Sequence, residues 1–95
     1  MDSPLQFVRH LSVLRSHRIH FGGNGSEPAA VNGQALFLRL FATHDCSVSL
    51  EDARGEARTF RLGARQAWIA TADGVAAVRV GPAPASGRLY VNELG

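Results

Sequence analysis

Four histidines and one cysteine are the residues of this chain whose chemistry suits a metal ion. His17-x-x-His20 sets two imidazoles close together, and His44-x-Cys46 sets an imidazole and a thiol on one face of an extended segment. Imidazole nitrogen and thiolate sulfur are ligands that zinc takes. The spacing matches no established zinc pattern, and scattered surface histidines with a small buried thiol explain the same residues. We therefore expect no metal and no cofactor. The run "FGGNGS" (21–26) has the glycines of a phosphate loop, but no Lys-Ser/Thr ending and no following helix to aim N–H groups at an anion. Seven Ser, four His and eight acids offer many combinations for nucleophilic catalysis, yet no G-x-S-x-G elbow is present. Asp52, Glu56 and Asp73 fall in predicted turns, and a small sandwich seldom encloses a pocket where such groups converge. The expected function is not enzymatic.

Trp68 and Tyr90 carry a different chemistry. Each joins a large apolar body to a polar handle, the composition enriched at interfaces, and each also suits a core anchor. The stretch "QALFLRLFA" (34–42) raises the same issue more sharply. Read as a strand, it points Leu36, Leu38 and Leu40 one way and Phe37 and Phe41 the other. A single core covers one side only. Arg39 sits among the apolar residues and needs an acid or water beside it.

The elements that position these residues read as strands. From residue 35 onward, turn signals recur every eight to twelve residues, the rhythm of an all-β sandwich or barrel. Strands are expected over 35–42, 45–51, 58–62, 66–71, 75–80 and 88–94. In 45–51 the alternation turns Cys46, Val48 and Leu50 inward, and Phe60 and Leu62 follow on the next strand. The Leu side of 36–40 should pack on Val48, Leu50, Phe60, Leu62, Ile69 and Val78. Asp73-Gly74 is a hairpin signal. Over 49–65, Ser49 and Asp52 as a cap and Arg54, Arg58, Arg61 and Arg65 on one face would also fit a helix, but Gly55 and Gly63 oppose it, each costing about 1 kcal/mol. Residues 4–15 fit either a short helix, capped at Ser3-Pro4, or an extended arm. Residues 17–21 read as extended, and 22–33 as a flexible glycine-rich loop.

The bulk numbers set the frame. Ninety-five residues make one domain, 1–95, with 1–21 as an N-terminal arm or first strand and 34–95 as the sandwich. A chain this short buries only about 60–68% of its unfolded surface, so partners would add stability. All ten basic residues are Arg, which can bind oxyanions bidentately, but a net charge of +2 with eight interspersed acids does not describe a nucleic-acid binder. One cysteine excludes an internal disulfide. The opening "MDSPLQFVRHL" is not a signal peptide, and no window has the roughly 18 apolar residues of a membrane helix. We expect no membrane and no export.

The run "SVSLEDARGEARTFRLGARQAWIATADGVAAVRV" (47–80) resembles the strand–turn–strand texture of small all-β virion accessory proteins of tailed phages and gene transfer agents, of the head spike-base, head-fibre and decoration type. Val48 and Leu50 before an acidic-Gly turn, Thr59-Phe60, Leu62-Gly63, Trp68 and Val78 carry the resemblance. It implies a non-enzymatic, oligomeric structural part of a phage-like particle, made in the bacterial cytoplasm. The expected fold is a small antiparallel β-sandwich, jelly-roll-like, of about seven or eight strands with an N-terminal arm or short helix. The expected partners are further copies of itself and a larger shell or fibre protein. Leu5, Phe7, Leu11, Phe37, Phe41, Trp68 and Tyr90 are the interface candidates. Two other functions fit the residues: a carbohydrate-binding module stacking sugars on Trp68 and Tyr90, and a cupin-like metal enzyme using His17, His20 and His44.

Overall fold

The computed structural model describes residues 11–95, which form eight strands and no helix. In chain order these are β1 (Val13–Phe21), β2 (Ala29–Ala30), β3 (Phe37–Ala42), β4 (Cys46–Glu51), β5 (Ala57–Leu62), β6 (Ala67–Thr71), β7 (Ala77–Val80) and β8 (Gly87–Leu94). They make two four-stranded antiparallel sheets, ordered β1-β8-β3-β6 and β2-β7-β4-β5. The pairs nest: first with last, second with seventh, third with sixth, fourth with fifth.

Period-two alternation explains which side of each strand is buried. In β4, Cys46, Val48 and Leu50 are buried while Ser47, Ser49 and Glu51 are partly exposed. In β3, Leu38, Leu40 and Ala42 are buried and point at the second sheet. Ile19, Phe21, Leu89 and Val91 join them, facing Val48, Leu50, Leu62, Val78 and Val80. Leu38 and Leu40 are sealed completely, and each contributes about 1.5–3 kcal/mol by leaving water. This apolar layer between the sheets holds the fold together.

Three expectations need correction. Leu36 does not join the inward row: it precedes β3 and is 51% exposed. Ile69 lies opposite Arg39 in the register, so it belongs to the outer side of its sheet and not to the core. Asp73-Gly74 does form a tight turn, with Gly74 at φ 75° and the Val75 N–H donating to the Ala72 carbonyl at 3.0 Å. The strands it joins do not pair, because β6 belongs to one sheet and β7 to the other. The turn carries the chain across the sandwich.

Of the alternatives left open for the N-terminal segment, residues 4–10 lie outside the described residues and 13–15 belong to β1. The helix considered over 49–65 is replaced by the β4–β5 hairpin, whose turn is held by Asp52 Oδ1 accepting the N–H groups of Arg54 at 2.8 Å and Glu56 at 3.0 Å. The glycine-rich loop 22–33 carries β2 and is tied to β7. The Ser26 N–H donates to the Val80 carbonyl at 2.9 Å, and Ser26 Oγ accepts the Val80 N–H at 2.9 Å. No helix among the described residues is long and apolar enough to cross a membrane.

Candidate interaction surface

The outer side of the β1-β8-β3-β6 sheet is built of cross-strand rungs. Arg18, Tyr90, Phe41 and Ala67 form one rung. Ser16, Asn92, Arg39 and Ile69 form the next, with the Ser16 hydroxyl donating to Asn92 Oδ1 at 2.9 Å. Leu94, Phe37 and Thr71 form a third. Directly opposed side chains in an antiparallel pair stand about 4.5–5.5 Å apart at Cβ, so each rung is a contiguous strip. Phe37, Phe41 and Tyr90 are half-buried, and Leu94 is only 5% exposed although it lies apart from the inter-sheet core.

Arg18 and Arg39 make no ion pair among the described residues, and none of these rungs carries an acid. Arg39 is exposed, so water solvates the charge that the sequence placed between two phenylalanines. The strip is therefore aromatic and basic at once.

Trp68 stands elsewhere. It is paired with Leu40, so it belongs to the inner side of β6, yet it is 50% exposed. The cause is topological: β6 and β5 are terminal strands of their respective sheets, and the flank between them is open. Phe60 of β5 reaches across, with its ring centroid 5.5 Å from that of Trp68 and the planes at 30°. The pair partly closes the flank and leaves Trp68 half exposed. Terminal strands also present backbone N–H and C=O groups to any strand that approaches.

The interface candidates thus separate. Phe37, Phe41 and Tyr90 meet on one outer surface; Trp68 lies on the opposite side of the same sheet, two strands from Tyr90. Leu11 is half-buried, and Leu5 and Phe7 lie outside the described residues. Trp68 and Tyr90 are not adjacent, so they cannot sandwich or flank one sugar ring.

The histidines separate as well. His17 points into the sandwich, whereas His20 is exposed and His44 lies in the turn before β4. Among the described residues no group of three or more His, Cys, Asp or Glu is placed to hold a metal ion. Cys46 is buried, and that burial pushes its thiol pKa up; Asp45 adds to the rise and Arg61 opposes it.

Sequence reasoning passed over Glu93. It is the one buried charged residue among those described, at 0% exposure. One carboxylate oxygen is hydrogen-bonded to His17 Nε2, and the other accepts the Asn32 N–H at 2.5 Å. A buried carboxylate is tolerable only with partners of this kind. The arrangement ties β1, β8 and the β2–β3 loop at one end of the sandwich. Its signal in the sequence was the alternation of β8, which puts Glu93 in phase with Leu89 and Val91.

Compared with known families, with characterised proteins and with solved structures, the chain has no match.

Proposed function

We propose that this protein is a non-enzymatic assembly component that forms a symmetric homo-oligomer within a phage or phage-like particle, as capsid decoration, spike base or fibre attachment. The observation that carries the proposal is Trp68: half-exposed, packed on Phe60, and set on a terminal strand beside an open flank. A large aromatic in that position gains from being covered, and the neighbouring strand edges offer the hydrogen bonds that a second copy can use. The nested strand order is compatible with a jelly roll, an architecture used in viral capsid domains as well as in lectins and cupins. The fold alone does not choose among these. The particle assignment rests on the sequence texture of residues 47–80.

The test is sedimentation velocity at high micromolar concentration, on the wild-type chain and on Trp68→Arg. An oligomer that the substitution returns to monomer, with an interface of more than about 1,000 Å² in total, is the expected result. A strict monomer that also fails to co-purify with particles rejects it. The exposed indole favours one second reading, a carbohydrate-binding surface at Trp68 alone. Glycan titration followed by Trp68 fluorescence separates the two, since assembly requires no response to sugar.

A further inference from the structure

We propose that the cleft where the end of β1, the β3–β4 turn and the start of β8 meet is a phosphate-binding site. It is lined by His20, Thr43, His44, Ser86, Gly87 and Arg88, with Phe21 behind them. His20 and Arg88 are opposite each other in the β1–β8 register. The β3–β4 turn is fastened alongside by two bonds: the Thr43 N–H donates to the Arg88 carbonyl at 2.9 Å, and the Arg88 N–H donates to Thr43 Oγ1 at 2.9 Å.

That fastening orients His44. Thr43 Oγ1 lies 2.9 Å from His44 Nδ1 and already accepts the Arg88 N–H. The hydroxyl oxygen has one proton and two lone pairs, so it can donate to Nδ1 or accept from Nδ1–H, and in either case the contact holds the His44 ring against the turn. The cleft then holds four donor groups of three kinds: a guanidinium, two imidazoles and the Ser86 hydroxyl.

No carboxylate lines the cleft, and Arg88 makes no ion pair among the described residues. Asp45, next to His44 in sequence, has its Oδ1 engaged by the Ala64 N–H at 2.7 Å. The convergence also depends on a missing side chain. A Cβ at Gly87 would lie 2.7 Å from Phe21 Cζ, 2.8 Å from His44 Nδ1 and 2.9 Å from Thr43 Oγ1, so only glycine lets the three segments close this far. A guanidinium with imidazole and hydroxyl donors around it suits a tetrahedral oxyanion, whose oxygens accept from several directions at once.

The phosphate has two possible sources, free inorganic phosphate or the ester of a mononucleotide. The second is suggested by the adjacent rung, where Tyr90 and Phe41 lie within reach of a base. Histidine side-chain ¹H–¹⁵N spectra of the full chain, titrated with inorganic phosphate and separately with adenosine monophosphate, test both. We expect saturable shifts at His20 and His44 with phosphate, weakened at least tenfold by Arg88→Gln and by His44→Gln, and unchanged by Arg61→Gln on the other sheet. Tighter binding of the nucleotide with added shifts of the Tyr90 ring assigns the ester as the ligand; equal affinity and a silent Tyr90 assign free phosphate. No saturable shift with either ligand, or equal weakening by Arg88→Gln and Arg61→Gln, overturns the site.

Discussion

The two sheets share one core but differ on both of their sides. The outer side of β1-β8-β3-β6 carries Phe37, Phe41, Tyr90 and Ile69 beside Arg18 and Arg39, which make no ion pair among the described residues. The outer side of β2-β7-β4-β5 carries Ser47, Ser49, Thr59, Arg61 and Ala77; Ser49 Oγ and Thr59 Oγ1 are 2.9 Å apart, and Arg79 pairs with Glu51 at 2.9 Å. Inside, the first sheet buries the Glu93 carboxylate and the second the Cys46 thiol. An outer side without aromatic rings has less apolar area to gain from being covered. One with half-buried rings has more. The first sheet therefore carries both the more aromatic outer surface and the one buried carboxylate among the described residues.

Substitutions that compare the sheets test this, beginning with the buried groups. Glu93→Ala leaves the Asn32 N–H and the His17 ring without their partner, and should cost about 3–5 kcal/mol in urea unfolding. A loss no larger than that of Cys46→Ala would show that the carboxylate is not what distinguishes the first sheet. Next come the outer sides: Phe41→Ala or Tyr90→Ala should cost about 1–2 kcal/mol, against under about 0.5 kcal/mol for Ser49→Ala, since only the rings remove much apolar area from water.

Cys46 supplies a pH test of the second sheet. Its folded pKa is raised above the ordinary value of 9.0 by burial first and then by Asp45, with Arg61 opposing. The folded state thus holds its proton more tightly than the unfolded chain. That share of stability is full below the unfolded value and is lost as pH rises through the raised folded value. Iodoacetamide should accordingly label Cys46 at mildly alkaline pH only at the rate of unfolding; rapid labelling of the native chain would contradict the burial. The smallest effect belongs to the Arg79–Glu51 pair, whose side chains are 48% and 18% exposed. A double-mutant cycle should give under about 1 kcal/mol, shrinking at high salt.

Much of the fold was legible because period-two alternation is local. The segment Cys46 to Glu51 reads as half-buried from its own six side chains, and β5 and β8 read the same way. The two-sided apolar pattern of β3 correctly located the first sheet's outer surface. Ile69 was read on the wrong side, because its orientation depends on register with β3. Glu93 was missed for a related reason: an acid in a β8-like pattern looks like an irregular surface position until His17 and Asn32, 76 and 61 residues away, are brought against it.

Side-chain order along the chain dictated that this protein is made of short strands with turns at Asp52–Glu56 and Asp73-Gly74, since those choices depend on neighbours a few residues apart. Which strands pair was settled only in three dimensions. The Asp73-Gly74 turn demonstrates why: the same two residues can close a hairpin or pass the chain between sheets, and the choice falls to the apolar faces that β6 and β7 bury against different partners.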